Sequence, residues 1–207
     1  MRAAGRYSLV SFLLARKPEN ETVATRAHFN AGPETVWNRI LFYEEVPERP
    51  PLLLRALLPE PVRTEGGKTD AGATVRCHYR RGEVVKRITA VARPRLVEFE
   101  VIEQRLGIEG CVFALGGSYR IWQCGEGSDV ELRTNYRAYL RPRRLWRRLE
   151  AHLVSQLHRH ILGGIRAGVP VPGTNPSVRP AIPESLTPQC ASPGGLACTI
   201  SKSRSHR

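Results

Sequence analysis

The sequence predicts an α+β fold: a curved antiparallel sheet of about seven strands wrapped on one long C-terminal helix, with two short helices after the first strand. Three observations carry this. Leucine or isoleucine recurs every fourth residue at Leu145, Leu149, Leu153, Leu157, Ile161 and Ile165, a helical period within residues 143–166. Upstream, run after run of apolar residues alternates with polar ones, the period of half-buried strands. The links between these runs are short, which favours antiparallel neighbours.

The first strand is read at residues 22–30, with Val23, Thr25, Ala27 and Phe29 on one face and Arg26 and His28 on the other. Ala31-Gly32-Pro33 ends it. Pro33 suits a first helical turn, Glu34 favours the helix dipole, and Val36, Trp37, Ile40 and Leu41 make a stripe. Residues 52–58, LLLRALL, lie between Pro51 and Pro59 and predict a second short helix buried in the core. The alternative is a mobile lip over a cavity or a surface that touches membrane. Strands follow at residues 62–65, 73–80, 83–92, 97–101, 112–124 and 130–140, broken by Gly66-Gly67, Arg81-Gly82, Arg93-Pro94-Arg95 and Gly125-Glu126-Gly127-Ser128.

The long helix needs a large apolar surface beneath it. On a wheel of about 100° per residue centred on Leu149, the side chains of Trp146, Leu153, Leu157 and His160 share one quadrant, with Gln156 beside it. Arg144, Arg148, Arg159 and Arg166 fall opposite. Arginines 141, 143, 144, 147 and 148 crowd the N-terminal end, where the helix dipole disfavours them. Acidic side chains from the sheet, an anionic head group or a membrane surface would offset that.

The domain proper is expected at residues 22–167, after an extension at 1–21 and before a Pro/Ser/Gly-rich tail at 168–207 expected to be disordered. The net charge of +13 comes from 28 arginines and only 4 lysines against 19 acids. Such a surface attracts phosphate or anionic lipid, so weak contact with an anionic membrane surface is a candidate partnership. No basic run interleaves with aromatics, which argues against nucleic acid. Cys77, Cys111, Cys124, Cys190 and Cys198 form no CxxC pair and no zinc spacing, so they read as reduced thiols. His158 and His160 point about 160° apart on a helix, so they cannot share an ion. No metal or cofactor is expected. Residues 7–15 resemble a short secretory h-region without a small-x-small cleavage site, so a cytoplasmic protein is expected, with a signal at residues 1–17 as the alternative.

Several stretches resemble a known family. FNAGPETVWNRI from Phe29 looks like the strand-to-helix start of the START-like helix-grip superfamily (SRPBCC), closest to its polyketide cyclase/dehydrase and lipid-transport branch. Arg93-Pro94-Arg95-Leu96 leading into VEFEV, GGSYRIW from Gly116, ELRTNYRAYLRPRRLWRRLE from Glu131 and LHRHIL from Leu157 resemble its mid-sheet hairpin, last strands and C-terminal helix. The resemblance spans about residues 22–167. It implies the helix-grip fold and a cavity for a hydrophobic molecule between sheet and helix, and no particular reaction.

Alternation and the wheel together nominate the cavity wall. Val75, Tyr79, Phe99, Tyr119, Leu132, Thr134 and Tyr136 are expected from the sheet, closed by Leu149, Leu153, Gln156, Leu157 and His160 from the helix. The expected function is binding or carrying a lipid-like or polycyclic small molecule. The alternative is a cyclase or dehydratase acting on a polyketide-like substrate in the same cavity, with His160 and Tyr136 as candidate acid–base groups.

Overall fold

The computed structural model describes residues 18–40 and 42–169, together with the backbone of 198–201. Chain order is β1 (Glu19–Phe29), α1 (Pro33–Trp37), a 3-10 turn (Tyr43–Glu45), α2 (Leu52–Leu57), then β2 (Pro61–Gly66) and β3 (Thr74–Tyr79). There follow β4 (Gly82–Ala92), β5 (Leu96–Arg105), β6 (Val112–Cys124), β7 (Gly127–Ala138), α3 (Arg143–Gly168) and β8 (Cys198–Ser201). The sheet order is β2-β3-β4-β5-β6-β7-β1-β8, with antiparallel pairs throughout. Seven strands form the curved sheet around α3, as the alternation and the short links predict. The expectation of a structureless tail meets one short strand, because β8 pairs with β1 at Thr22–Thr25. Residues 1–17, 170–197 and 202–207 lie outside the described residues, so the expectations for a signal segment and for the rest of the tail fall there. No helix among the described residues is long and apolar enough to cross a membrane.

The inner face follows the period of two. Val23, Thr25, Ala27 and Phe29 of β1 are buried, while Arg26 and His28 are exposed. On β7, Val130, Leu132, Tyr136 and Ala138 are buried against the helix side. These positions, with Val36, Trp37, Ile88, Val97, Tyr119 and Ile121, form the hydrophobic core.

The face that α3 buries differs from the one the wheel selects. Ala151, Ser155, His158, Leu162 and Ile165 face the sheet, and Leu149 is 43% exposed. The reason lies in the period. A step of four residues turns about 400°, so the every-fourth stripe drifts about 40° per step around the helix. It therefore spirals, from Leu145 at 64% exposure, through half-buried Leu153 and Leu157, to Ile161 at 5% and Ile165 at 0%. Centring the wheel on Leu149 fixed the face at the exposed end of that spiral.

The arginines at the start of α3 find acids from the sheet, one of the three offsets expected. Glu21, on the inward parity of β1, accepts a hydrogen bond from Arg143 at 3.1 Å and forms an ion pair with Arg147 at 3.1 Å. Glu150 accepts from Arg143 at 2.8 Å, and Glu19 from Arg141 at 2.6 Å. Glu21 is buried, so its pairs anchor the helix end to β1 rather than decorate the surface, while buried Glu150, on α3 itself, holds Arg143 in place.

The sheet opens between β5 and β6. β5 and β6 pair only from Leu96↔Arg120 to Glu100↔Gly116, and just beyond, between Ala114 and Gly116, β6 shifts register against its other neighbour, β7. Gly116 has φ 143°, and a Cβ there would lie 2.2 Å from the Phe99 carbonyl oxygen, so the bend requires glycine. Beyond it the buried Gln104 side chain spans the gap, donating to the Val112 carbonyl at 3.0 Å and accepting from the Ala114 amide at 2.8 Å. Backbone groups freed by the split are thereby satisfied without closing it.

Candidate functional site

Where β5 and β6 part, a cavity of about 190 Å³ lies between the sheet, the 3-10 turn and α3. Its wall is almost wholly apolar and aromatic, including Phe42, Phe99, Tyr119, Leu132, Leu157 and Ile161. A neighbouring groove of about 360 Å³ runs between α2 and the N-terminal half of α3. Leu58, Ile108, Val112, Tyr136, Val154 and Leu157 line both, so the two spaces adjoin.

One end of the cavity is polar. Lys86 of β4 shares its inward parity with Val84 and Ile88, and all three are buried. Its ammonium donates to both carboxylate oxygens of Glu44, at 3.0 and 2.8 Å, and lies 4.3 Å from the centre of the Phe42 ring. The Tyr79 hydroxyl donates to Glu44 as well. Burial opposes both charges, yet each sustains the other: Glu44 is held below the usual carboxylate range and Lys86 above the usual amine range. Burial pushes the Cys77 thiol beside them up to about 12, so it stays protonated. The pair carries no net charge, so this end offers hydrogen-bonding groups and a dipole rather than an unbalanced ion.

The expected wall residues divide into three groups. Tyr79, Phe99, Tyr119, Leu132, Thr134, Tyr136 and Leu157 line the cavity, and Leu149, Leu153, Tyr136 and Leu157 line the groove. Val75 is packed fully inside the core behind the wall. Gln156 and His160 lie off it. The Gln156 amide sits 3.4 Å from His152 on the outer side of α3. His160 is half-buried with its ring 6.0 Å from Tyr43, which itself lines the cavity, and its buried Nε2 lacks a hydrogen-bond partner. Burial lowers its pKa. Both follow from the misplaced face.

The imidazole that does face the sheet is His158. Its Nδ1 is 2.9 Å from the Thr25 hydroxyl and its Nε2 is 2.8 Å from that of Thr134, whose side chain also lines the cavity. One ring nitrogen donates and the other accepts, so both are satisfied by the neutral ring. Burial drives its pKa down to about 3. A ring so placed bridges β1, β7 and α3 and is a poor proton acceptor.

Sequence reasoning missed Lys86 and Glu44. The signal for Lys86 is its place between Val84 and Ile88 on an inward parity; Glu44, in a 3-10 turn, carries no period to read. On the outer face of the sheet, ligating atoms of His28, Cys124 and Asp129 lie within 4.8 Å of one another, with His28 bonded to Asp129 at 2.7 Å. They come from β1, β6 and β7, so no spacing along the chain announces them.

The expected buried helix at LLLRALL is half correct. In α2 only Leu54 is buried, while Leu52, Leu53 and Leu57 are exposed, and Leu57 and Leu58 border the groove.

No protein-family model matches the sequence, and no curated protein matches it. Solved structures do. The crystal structure of TTHA0849 from Thermus thermophilus covers 72% of this chain and 96% of its own, with a TM-score of 0.51 and 18% identity. That of Ara h 8.0201 covers 72% of this chain and 97% of its own, with a TM-score of 0.50 and 14% identity. At these identities the likeness establishes the architecture alone: the chain has the helix-grip fold, a curved antiparallel sheet on a long C-terminal helix.

Proposed function

We propose that the protein binds or carries a neutral hydrophobic small molecule, lipid-like or polycyclic, bearing one or two oxygens. The observation that carries this is the apolar cavity at the β5–β6 split with the Lys86–Glu44–Tyr79 cluster at one end. Apolar walls supply affinity, and a few fixed polar groups set orientation. A carboxylate ligand is disfavoured, because Lys86 is already neutralised by Glu44. The adjoining groove gives a long molecule room beyond the cavity.

Native mass spectrometry of the protein from its own host tests this directly. The expected result is a co-purified hydrophobe, lost from Ala114→Phe, which places a ring in the cavity wall. A protein without bound hydrophobe that also fails to take up an apolar fluorescent probe would overturn the reading.

The same cluster favours one second reading, a cyclase or dehydratase acting on a polyketide-like substrate. A protonated Lys86 and the Tyr79 hydroxyl would steady the oxygen of an enolate formed in the cavity. Tyr136 remains a candidate from the wall, whereas His160 stands behind Tyr43. Tyr79→Phe separates the readings: an enzyme loses turnover of a polyketone and keeps its bound molecule, while a carrier shows no turnover to lose.

A further inference from the structure

We propose that α2 and the N-terminal half of α3 dock on an anionic lipid bilayer, opening the groove onto the membrane so that ligand passes between lipid and cavity. This rests on the reading of the cavity as a hydrophobic binding site. Among the described residues, eight large hydrophobic side chains are exposed, and five of them lie on these two helices: Leu52 at 79%, Leu53 at 38%, Leu57 at 48%, Leu145 at 64% and Leu149 at 43%. Single exposed leucines are ordinary; five on two elements bordering one groove are a patch. Leu53 and Leu57 are four residues apart on α2, as are Leu145 and Leu149 on α3, so each pair stacks on one helix face. Leu57 and Leu149 line the groove from opposite sides. The Trp146 ring lines it too, while its Nε1 donates to the Arg141 carbonyl at 2.9 Å, leaving an apolar face toward the groove.

Charge chooses the occupant. α2 carries Arg55 and no acid. α3 carries six arginines and a single acid, Glu150, which is buried against Arg143. Arg55, Arg144 and Arg148 are exposed around the leucines. Leucines rimmed by arginines fit a bilayer, with apolar side chains at the acyl boundary and guanidinium groups on lipid phosphates. The same rim disfavours a second copy of this chain, which would bring like charges together.

The test is flotation of the full-length protein with two vesicle types, phosphatidylcholine alone and phosphatidylcholine with about one third phosphatidylserine. The expected result is at least about ten-fold more binding to the anionic vesicles, reversed by high salt. Leu53→Asp with Leu145→Asp, and separately Arg144→Glu with Arg148→Glu, should bring binding down to the neutral-vesicle level. All four sites tolerate charge because they are exposed. Vesicles should also slow alkylation of Cys111, which lines the groove, and leave exposed Cys124 unaffected. No preference for anionic vesicles, or binding that survives both pairs of substitutions, overturns the proposal. So does a dimer in solution that Leu145→Asp dissolves without any vesicle binding, since the face would then belong to a second copy. The co-purified hydrophobe, measured on the same preparations, separates the two readings. Its presence in a protein that ignores vesicles sinks the docking and leaves the cavity reading standing.

Discussion

Held between Thr25 and Thr134, the neutral ring of His158 ties stability to pH. A free histidine takes a proton near pH 6.5, whereas the folded ring resists until about 3. Across that window the unfolded chain binds more protons, so stability falls as pH falls, by about 1.4 kcal/mol per unit. The lowered carboxyls of Glu44 and Glu131 act in the same direction only below their ordinary value of 4.5. Between pH 6.5 and 4.5 the histidines dominate, with half-buried His160 adding in the same sense. Thermal melts across that range should show a steep decline for the native protein. His158→Phe should melt lower at pH 7, with two hydroxyls stranded, and show a shallower decline. An unchanged slope would mean the ring is not held neutral. Lys86 gives a second test at this scale. Lys86→Met leaves Glu44 buried and unpaired, at a cost of about 3–5 kcal/mol, and adding Glu44→Gln should restore most of it. Denaturant titrations of the single and double variants measure the difference.

The helix shows most clearly what the sequence could and could not supply. Its limits, its apolar character and its place against the sheet are all legible, because a 3.6-residue period over 26 residues is a strong signal. The buried face is not, because the leucine series winds around the axis and any centre chosen along it is right for only part of the length. The strands suffer no such drift, since a period of two keeps parity between bulges, and the wall residues Tyr79, Phe99, Tyr119, Leu132, Thr134 and Tyr136 were readable for that reason. Glu44 was not, since it sits in a 3-10 turn. The corrected face makes its own prediction: Leu162→Asp should abolish soluble expression, whereas Leu149→Asp should fold normally. The first buries a carboxylate without a partner, at a cost of several kcal/mol, while the second meets water. Leu54 belongs with Leu162 rather than with its exposed neighbours in α2, so a charge intended to perturb the groove mouth belongs at Leu57.

At the scale of the molecule, sheet and helix depend on each other. β1 supplies Glu21 to the arginines of α3, Thr25 to His158 and a full antiparallel partner to β7. The split between β5 and β6 lets this closed arrangement keep a space inside, since two strands part there while the rest of the sheet stays paired. That β1 pairs with β7 also governs how the chain reaches this state. The Thr22 hydroxyl meets Asn135 at 2.9 Å, a partner 113 positions further along the chain. During synthesis the first strand leaves the ribosome with an apolar face and neither edge matched, and it waits until nearly the whole domain has followed. Loop closure over that distance comes before any of its contacts can reward it, which places the protein among slow folders of high contact order. For that interval β1 is open to the wrong partners, above all the β1 of another nascent chain.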